Sequence, residues 1–161
     1  MKRVLLVLSI ILVLVATYVV VKKPQEISST SSEMTQVTYV VDGDTVEVTG
    51  GRRVRYIDVN APEIAHPGQK EECFGIAAKN ENNSLVNGQT VRLVSDVGDK
   101  DTYGRLLRYV YVGNEFINDT LVRQGFAVAE PIKPDTEFAK QFLFAQQEAK
   151  QMDRGLWNAC P

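Results

Sequence analysis

A run of eighteen uncharged positions, from Val4 to Val21, lies near the start of the chain. Three of these positions are polar or amphipathic, namely Ser9, Thr17 and Tyr18, and the rest are apolar. At 1.5 Å per residue, a helix of this length is about 27 Å long, close to the hydrocarbon thickness of a bilayer. A helix packed into a soluble core would carry a polar stripe, which this run lacks. The run therefore predicts a single N-terminal hydrophobic helix, separate from the folded domain.

Basic residues flank this apolar run, with Lys2 and Arg3 before it and Lys22 and Lys23 after it. A cleaved signal peptide has an apolar region of about 7 to 15 residues followed by a small-residue cleavage site. This run is longer, and no Ala-x-Ala site follows it. We expect residues 1–23 to be an uncleaved signal anchor, with a cleaved signal peptide as the alternative. The protein is then exported, and either anchored in the membrane or secreted.

Residues 24–34 are rich in serine and threonine, a composition typical of a flexible polar linker. Residues 35–161 remain for one domain of ordinary size. That domain contains 14 Lys and Arg residues against 18 Asp and Glu residues. An acidic domain is not a general nucleic-acid binder, so a polyanion would have to meet a local cluster of arginines or a bound cation.

Two cysteines, Cys73 and Cys160, lie far apart in the domain. In an exported domain they predict one disulfide. The alternative, two unpaired buried thiols in a reducing compartment, requires that the domain is not exported. Two cysteines without neighbouring histidines are a poor zinc site.

Short β-rich runs with Asp-Gly and Gly-Gly turns dominate the domain, which predicts hairpins. The predicted strands are Thr35–Val41, Thr45–Thr49, Arg53–Val59, Gln89–Ser95 and Arg105–Val112. The predicted helices are Glu71–Val86, Ile117–Gln124 and Thr136–Met152. Five strands with a helix after the third predict an α+β, mainly β fold: a five-stranded OB-type Greek-key barrel with about three helices.

Three polar motifs lie at the ends of these strands. They are Val40-Val41-Asp42-Gly43-Asp44-Thr45-Val46, Ala61-Pro62-Glu63 followed by His66-Pro67, and Asp101-Thr102-Tyr103-Gly104-Arg105. Each alone is a common turn or loop sequence with a high false-positive risk. Together and in this order, with Leu121-Val122-Arg123-Gln124-Gly125 and Gly155-Leu156-Trp157 further on, they resemble the staphylococcal nuclease (thermonuclease) family over nearly the whole domain.

The resemblance implies a calcium-dependent phosphodiesterase that acts on DNA and RNA. By position, Asp44, Asn60 and the backbone carbonyl of Ala61 correspond to the Ca²⁺ ligands. Asn60 stands where the family often has an aspartate, so we expect weaker calcium binding unless Asp58 or Asp42 compensates. Oxygen ligands of these kinds suit Ca²⁺.

The resemblance also assigns the catalytic groups. Glu63 corresponds to the glutamate that positions or deprotonates the attacking water. Arg55 and Arg105 correspond to the two arginines that grip the scissile phosphate. Two guanidiniums and a cation suit a phosphodiester whose charge is redistributed during the reaction. Tyr103 is a candidate for a base-stacking or phosphate contact, with a barrel-edge residue as the alternative.

Two functions are consistent with these features. The first is a nuclease, active at the cell surface or outside the cell, that acts on DNA or RNA as a monomer. The second is a noncatalytic OB-fold module, tethered to the surface, that binds nucleic acid or a protein partner. The joint presence of Asp44, Arg55, Glu63 and Arg105 favours the enzyme, because a binding module does not need this set.

Overall fold

The computed structural model describes residues 31–161. The predicted signal anchor at residues 1–23 and most of the predicted linker lie outside the described residues. Between residues 31 and 161, no helix is long and apolar enough to cross a membrane.

The strands and helices alternate along the chain. The strands are β1 (Ser32–Val40), β2 (Thr45–Val48), β3 (Arg52–Tyr56), β4 (Val59–Asn60), β5 (Thr90–Val94), β6 (Leu106–Val112), β7 (Glu115–Phe116) and β8 (Val128–Ala129). The helices are α1 (Gly75–Val86), α2 (Ile117–Arg123), α3 (Ala139–Gln151) and the short α4 (Leu156–Ala159).

Five strands form a closed barrel in the order β3-β2-β1-β5-β6, and a parallel pairing between β3 and β6 closes it. The long β1 pairs with two strands: Ser32–Gln36 pairs with β5, and Val37–Val40 pairs with β2. A register shift between Val37 and Tyr39 allows this change of partner. The predicted mainly β barrel with helices is confirmed.

Apolar side chains from the barrel and the helices form one continuous core. Val46, Val48 and Val54 are fully buried on β2 and β3 and alternate with outward-facing residues. Tyr109 of β6 and Phe142 of α3 are also buried and pack against each other. Burial of each such side chain contributes about 1.5–3 kcal/mol, so the barrel is a firm support for the loops at its edge.

The predicted strand Arg53–Val59 is interrupted, because the chain turns at Asp58, which has a φ of 60°. Aspartate tolerates this left-handed conformation better than most residues. The backbone carbonyl of Asp58 accepts the N–H of Glu130 at 2.8 Å, and Oδ1 accepts the N–H of Ile132 at 3.1 Å. The turn lets β4 leave the barrel and pair with β8.

Other boundaries differ by a few residues from those predicted. β1 begins at Ser32, within the predicted linker, because its first residues pair with β5. Helix α1 begins at Gly75 instead of Glu71, after Phe74 with a φ of 75°. A Cβ atom on Gly75 would lie 2.4 Å from the carbonyl oxygen of Glu63, so only glycine lets the loop carrying Glu63 pack on the start of this helix.

The two cysteines form a disulfide, as expected from the sequence. Cys73 lies just before Phe74, the N-cap of α1, and Cys160 follows α4 near the end of the chain. The bond therefore ties the C-terminus to the segment on which the Glu63 loop packs.

Candidate active site

The side chain of Asp44 lies at the start of β2 and is only 7% exposed. Its Oδ2 accepts the backbone N–H of Ala61 at 2.6 Å, and its Oδ1 accepts the hydroxyl of Thr45 at 3.0 Å. Burial raises the pKa of Asp44 to about 7, and the neighbouring Asp42 adds to this rise, although Arg55 and the two hydrogen bonds oppose it. A nearby cation would therefore stabilise its charged form.

The turn before Asp44 holds Asp44 against Ala61. A Cβ atom on Gly43 would lie 2.5 Å from the Cβ of Ala61, so no larger residue fits there without a shift. Asp42 supports the same turn, because its Oδ1 accepts the backbone N–H of Asp44 at 3.0 Å. The Asp-Gly-Asp motif thus brings two of the predicted calcium ligands together.

Arg55 of β3 connects the predicted ligands through three hydrogen bonds and an ion pair. Its Nε lies 3.1 Å from Oδ1 of Asp44, and Nη2 donates to Oδ1 of Asn60 at 3.0 Å. Its Nη1 donates to the carbonyl oxygens of Tyr56 and Val59. A guanidinium has five N–H donors, so the three hydrogen bonds leave two N–H groups, one of them on the Nε that forms the ion pair with Asp44. Arg55 is therefore mainly an organiser of the site.

Arg105, at the end of the loop before β6, is much less engaged. Its Nε donates to Oδ2 of Asp101 at 2.6 Å, and the backbone N–H groups of Tyr103 and Arg105 both donate to Oδ1 of Asp101. Partial burial raises the pKa of Asp101, but these hydrogen bonds and the charge of Arg105 bring it below its usual value. Within residues 31–161, the two Nη groups of Arg105 make no hydrogen bond. They are free to bind two phosphate oxygens at once.

The two arginines line one open cleft of about 380 Å³. Asp58 lies at the same cleft, and burial raises its pKa to about 6, helped by the charges of Asp96 and Asp135. Its Oδ2 is buried and has no hydrogen-bond partner in the described part of the chain. The sequence suggested Asp58 only as a compensating ligand, and its place at the turn after β3 was not predicted.

Glu63 lies apart from this cleft. Its side chain is 45% exposed in the loop between β4 and α1, and its Oε2 lies 3.9 Å from Nε2 of His66. Glu72 holds the loop from both sides: its carboxylate accepts the N–H of Glu63 at 3.0 Å and its N–H donates to the carbonyl of Glu63 at 2.9 Å. The structure thus fixes the backbone of Glu63, while its carboxylate forms no ion pair with Arg55 or Arg105. The contact with His66 was not predicted.

The donors around Asp44 fit a calcium ion in their chemistry. Asp44 offers a carboxylate, Asn60 an amide oxygen and Ala61 a backbone carbonyl, all of which Ca²⁺ accepts. Each oxygen of Asp44 retains acceptor capacity beyond the contacts described above. No group of three or more His, Cys, Asp or Glu side chains suited to a metal occurs in residues 31–161. Such a site would thus depend on the neutral oxygens.

An OB-type barrel with two arginines on one cleft beside a buried aspartate is suited to bind a phosphodiester. The chain belongs to the staphylococcal nuclease family, because the model of the family described as "Staphylococcal nuclease homologue" matches residues 53–159. The resemblance predicted from the sequence motifs is confirmed.

Individual relatives agree with this assignment. The chain is 35% identical over 153 residues to the thermonuclease of Staphylococcus intermedius, covering 92% of this chain and 91% of the relative. It is 38% identical over 133 residues to the SPbeta prophage-derived endonuclease YokF of Bacillus subtilis, covering 78% of this chain but only 45% of that relative. It is 39% identical over 123 residues to endonuclease YncB of the same organism, covering 73% of this chain and 58% of that relative. The predicted class, a nuclease-type hydrolase, agrees with these names.

Proposed function

We propose that this protein is a calcium-dependent phosphodiesterase that hydrolyses DNA, RNA or both. The observation that carries the proposal is the unoccupied pair of Nη groups on Arg105, which lies on the same cleft as Arg55. In an acidic domain, these groups form a local site where a phosphate can bind. The endonuclease and thermonuclease names of the relatives support the same activity.

Each group then has a distinct task. Arg105 binds the scissile phosphate through two N–H groups, a geometry that lysine cannot reproduce. Arg55 holds Asp44 and Asn60 in place and offers the second N–H of its Nη2. Asp44, Asn60 and the carbonyl of Ala61 would hold Ca²⁺, which supplies positive charge opposite the phosphate when bound. Glu63 positions the attacking water and accepts its proton. Its half-exposed side chain is free to turn toward a bound substrate.

The test is cleavage of plasmid and single-stranded nucleic acid by the purified protein, with Ca²⁺ or with a chelator. Glu63→Gln should lower turnover by roughly a hundred- to ten-thousand-fold while substrate affinity stays within a few-fold, since only the proton transfer is lost. Glu137→Gln is the matched control, because it makes the same change at an exposed residue outside the cleft. Full turnover of Glu63→Gln would show that the assigned base is wrong, and absence of any cleavage by the wild type would refute the proposed activity.

The position of Glu63 outside the arginine cleft favours one second candidate, a noncatalytic module that binds nucleic acid. A binding module would retain a labelled single strand without cleaving it at any calcium concentration. Cleavage that disappears in Glu63→Gln excludes this candidate.

We also propose that the protein is exported and stays anchored through residues 1–23 as a monomer. The apolar run and the disulfide, a bond typical of oxidising compartments, support export. Membrane fractions should retain the protein after high-salt and carbonate washing, because apolar burial is insensitive to both. A soluble form that begins beyond Ala16 would show cleavage instead. Light scattering of the detergent-solubilised protein tests the monomer.

A further inference from the structure

The described part of the chain begins at Ser31, which lies close to the start of α3. The backbone N–H of Ser31 donates to Oγ of Ser95 at 3.2 Å, and the N–H of Ser95 donates to the carbonyl oxygen of Ser31 at 3.1 Å. Ser95 lines a groove of about 390 Å³ together with Glu137 and Phe138, the two residues that precede α3. The backbone N–H of Glu137 also donates to Oδ2 of Asp96 at 3.1 Å. The chain therefore enters the domain next to the N-terminal end of α3.

The outward face of α3 carries two exposed apolar side chains. Leu143 is 48% exposed and Phe144 is 66% exposed, although the opposite face of the helix packs on the core. Phe144 follows Phe138 by six residues, which is about 9 Å along the helix axis at 1.5 Å per residue. The other outward-facing residues lie three, four or seven positions from Phe144 and are polar, namely Lys140, Gln147 and Gln151. The exposed apolar pair is therefore close to the point at which the chain enters the domain.

This outward face contains a cation and no carboxylate. Lys140 is exposed and forms no ion pair in the described part of the chain. Glu148, the one carboxylate of α3, instead pairs with Arg123 and Arg154. Glu137, the nearest exposed carboxylate in the sequence, lies before the helix. In a domain with an excess of acidic residues, this face is suited to a surface that is both apolar and negatively charged.

The proposed membrane anchor keeps this face near a bilayer. Nine residues, 22–30, connect the end of the apolar run at Val21 to Ser31, and we call them the tether. A flexible chain of this length spans about 15–18 Å on average and at most about 32 Å when fully extended. A domain of about 130 residues has a diameter of about 35 Å. The tether is shorter than the domain is wide, so the side with Ser31 and the start of α3 is held toward the membrane.

We propose that the outward face of α3 docks on the surface of the membrane in which residues 1–23 are anchored. Leu143 and Phe144 enter the interfacial region, and Lys140 contacts the phosphates of anionic lipids. This inference rests on the proposed anchor and not on the proposed catalysis. Docking restricts the orientation of the domain, so the arginine cleft is held at a fixed height above the bilayer. The loop of residues 132–135 lines this cleft and lies shortly before α3.

The test places a tryptophan on the outward face of α3 in the full chain. Trp157 is the only tryptophan, so Trp157→Phe supplies a background without one. Phe144→Trp in this background is reconstituted into vesicles of brominated phosphatidylcholine and phosphatidylglycerol. Brominated lipid quenches a tryptophan that enters the interface, so we expect the fluorescence to fall by roughly half. Tyr39→Trp in the same background is the matched control and should not be quenched, because Tyr39 is 55% exposed on β1 beside Lys79 of α1.

The contribution of charge is tested in the Phe144→Trp variant. Lys140→Glu should weaken the quenching, as should vesicles without phosphatidylglycerol, because both remove the attraction to anionic lipid. Lys70→Glu is the control, since it makes the same change at an exposed residue of the loop between β4 and α1. Equal quenching at positions 39 and 144, no quenching at position 144, or equal effects of the two lysine substitutions would overturn the proposal.

Two further outcomes separate this proposal from its alternatives. A dimer in detergent that Phe144→Ser dissociates would identify a second copy of the chain as the occupant of this face and would overturn the proposal. If carbonate washing releases the protein from membranes, the proposed anchor fails. Addition of the same brominated vesicles to the released Phe144→Trp variant then decides the role of α3: quenching supports docking on the membrane, and its absence overturns it.

Discussion

Alanine substitutions of the two arginines of the cleft should have sharply different effects on the stability of the protein. Arg55 makes three hydrogen bonds and an ion pair with Asp44, and its side chain is 16% exposed beside the 7% exposed Asp44. Arg55→Ala removes the only cation within ion-pair distance of Asp44 in the described part of the chain. Removing one partner of a buried ion pair costs about 3–5 kcal/mol of the free energy of unfolding when the other group stays charged. The cost is smaller near neutral pH, because the pKa of Asp44 is already raised to about 7 and the carboxyl binds a proton once Arg55 is lost.

Arg105 makes a weaker contribution to folding. Its side chain is 29% exposed, and Asp101 keeps its two backbone N–H donors when the guanidinium is lost. We expect Arg105→Ala to lower the free energy of unfolding by about 1 kcal/mol or less, as for other partly exposed pairs. Its effect on cleavage should be large, because it removes the two free Nη groups that bind the phosphate.

Urea unfolding measures the difference in the free energy of unfolding, and kcat and KM measure the difference in cleavage activity. Arg105→Ala should fold with nearly wild-type stability and lose activity, whereas Arg55→Ala should lose both. Arg55→Lys keeps the charge beside Asp44 but not the contacts with Val59 and Asn60, and its stability should lie between wild type and Arg55→Ala. Equal losses of stability in the two alanine variants would refute the division of roles.

Two further predictions concern the disulfide and the calcium ligands. Reduction of Cys73–Cys160, which are separated by 87 residues, should lower the free energy of unfolding by about 4–5 kcal/mol in the chain-entropy model, and thiol titration of the denatured, unreduced protein should find no free thiol. Two titratable thiols would show that the bond is absent. Asn60→Asp should lower the calcium concentration needed for half-maximal activity, because it adds a negative charge beside Asp44, and Asp44→Ala should raise it. If the wild type saturates as tightly as Asn60→Asp, another carboxylate is a ligand.

Local patterns in the sequence were sufficient to predict the barrel and much of the candidate active site. Alternating apolar residues and Asp-Gly or Gly-Gly turns predict strands because these signals act over a few residues. The Asp-Gly-Asp motif and the Asp101–Arg105 loop are also local, since Asp44 and Arg105 are held mainly by near neighbours such as Thr45 and Asp101. Family resemblance therefore indicated these residues without knowledge of their surroundings.

The break at Asp58 could not be predicted, because the partners that stabilise it, Glu130 and Ile132, are more than seventy residues away. The start of α1 at Gly75 likewise depends on a close approach of the loop carrying Glu63.

The sequence by itself determined which residue types are present at the strand ends and that they suit a phosphodiester and a cation. Only the tertiary structure decided which N–H donors of the two arginines are used within the protein and which remain free for a substrate. Three of the five N–H groups of Arg55 donate hydrogen bonds within the protein and its Nε forms an ion pair with Asp44, while both Nη groups of Arg105 remain free in the described residues. Arg53 of β3 and Lys100 from the loop before β6 also line one groove, because the parallel pairing of β3 with β6 brings these two segments together. The hydrogen-bond partners of Arg55 lie within five residues of it, but the turn at Asp58 between them depends on contacts with the distant Glu130 and Ile132. Two arginines that look equivalent in sequence therefore have different tasks.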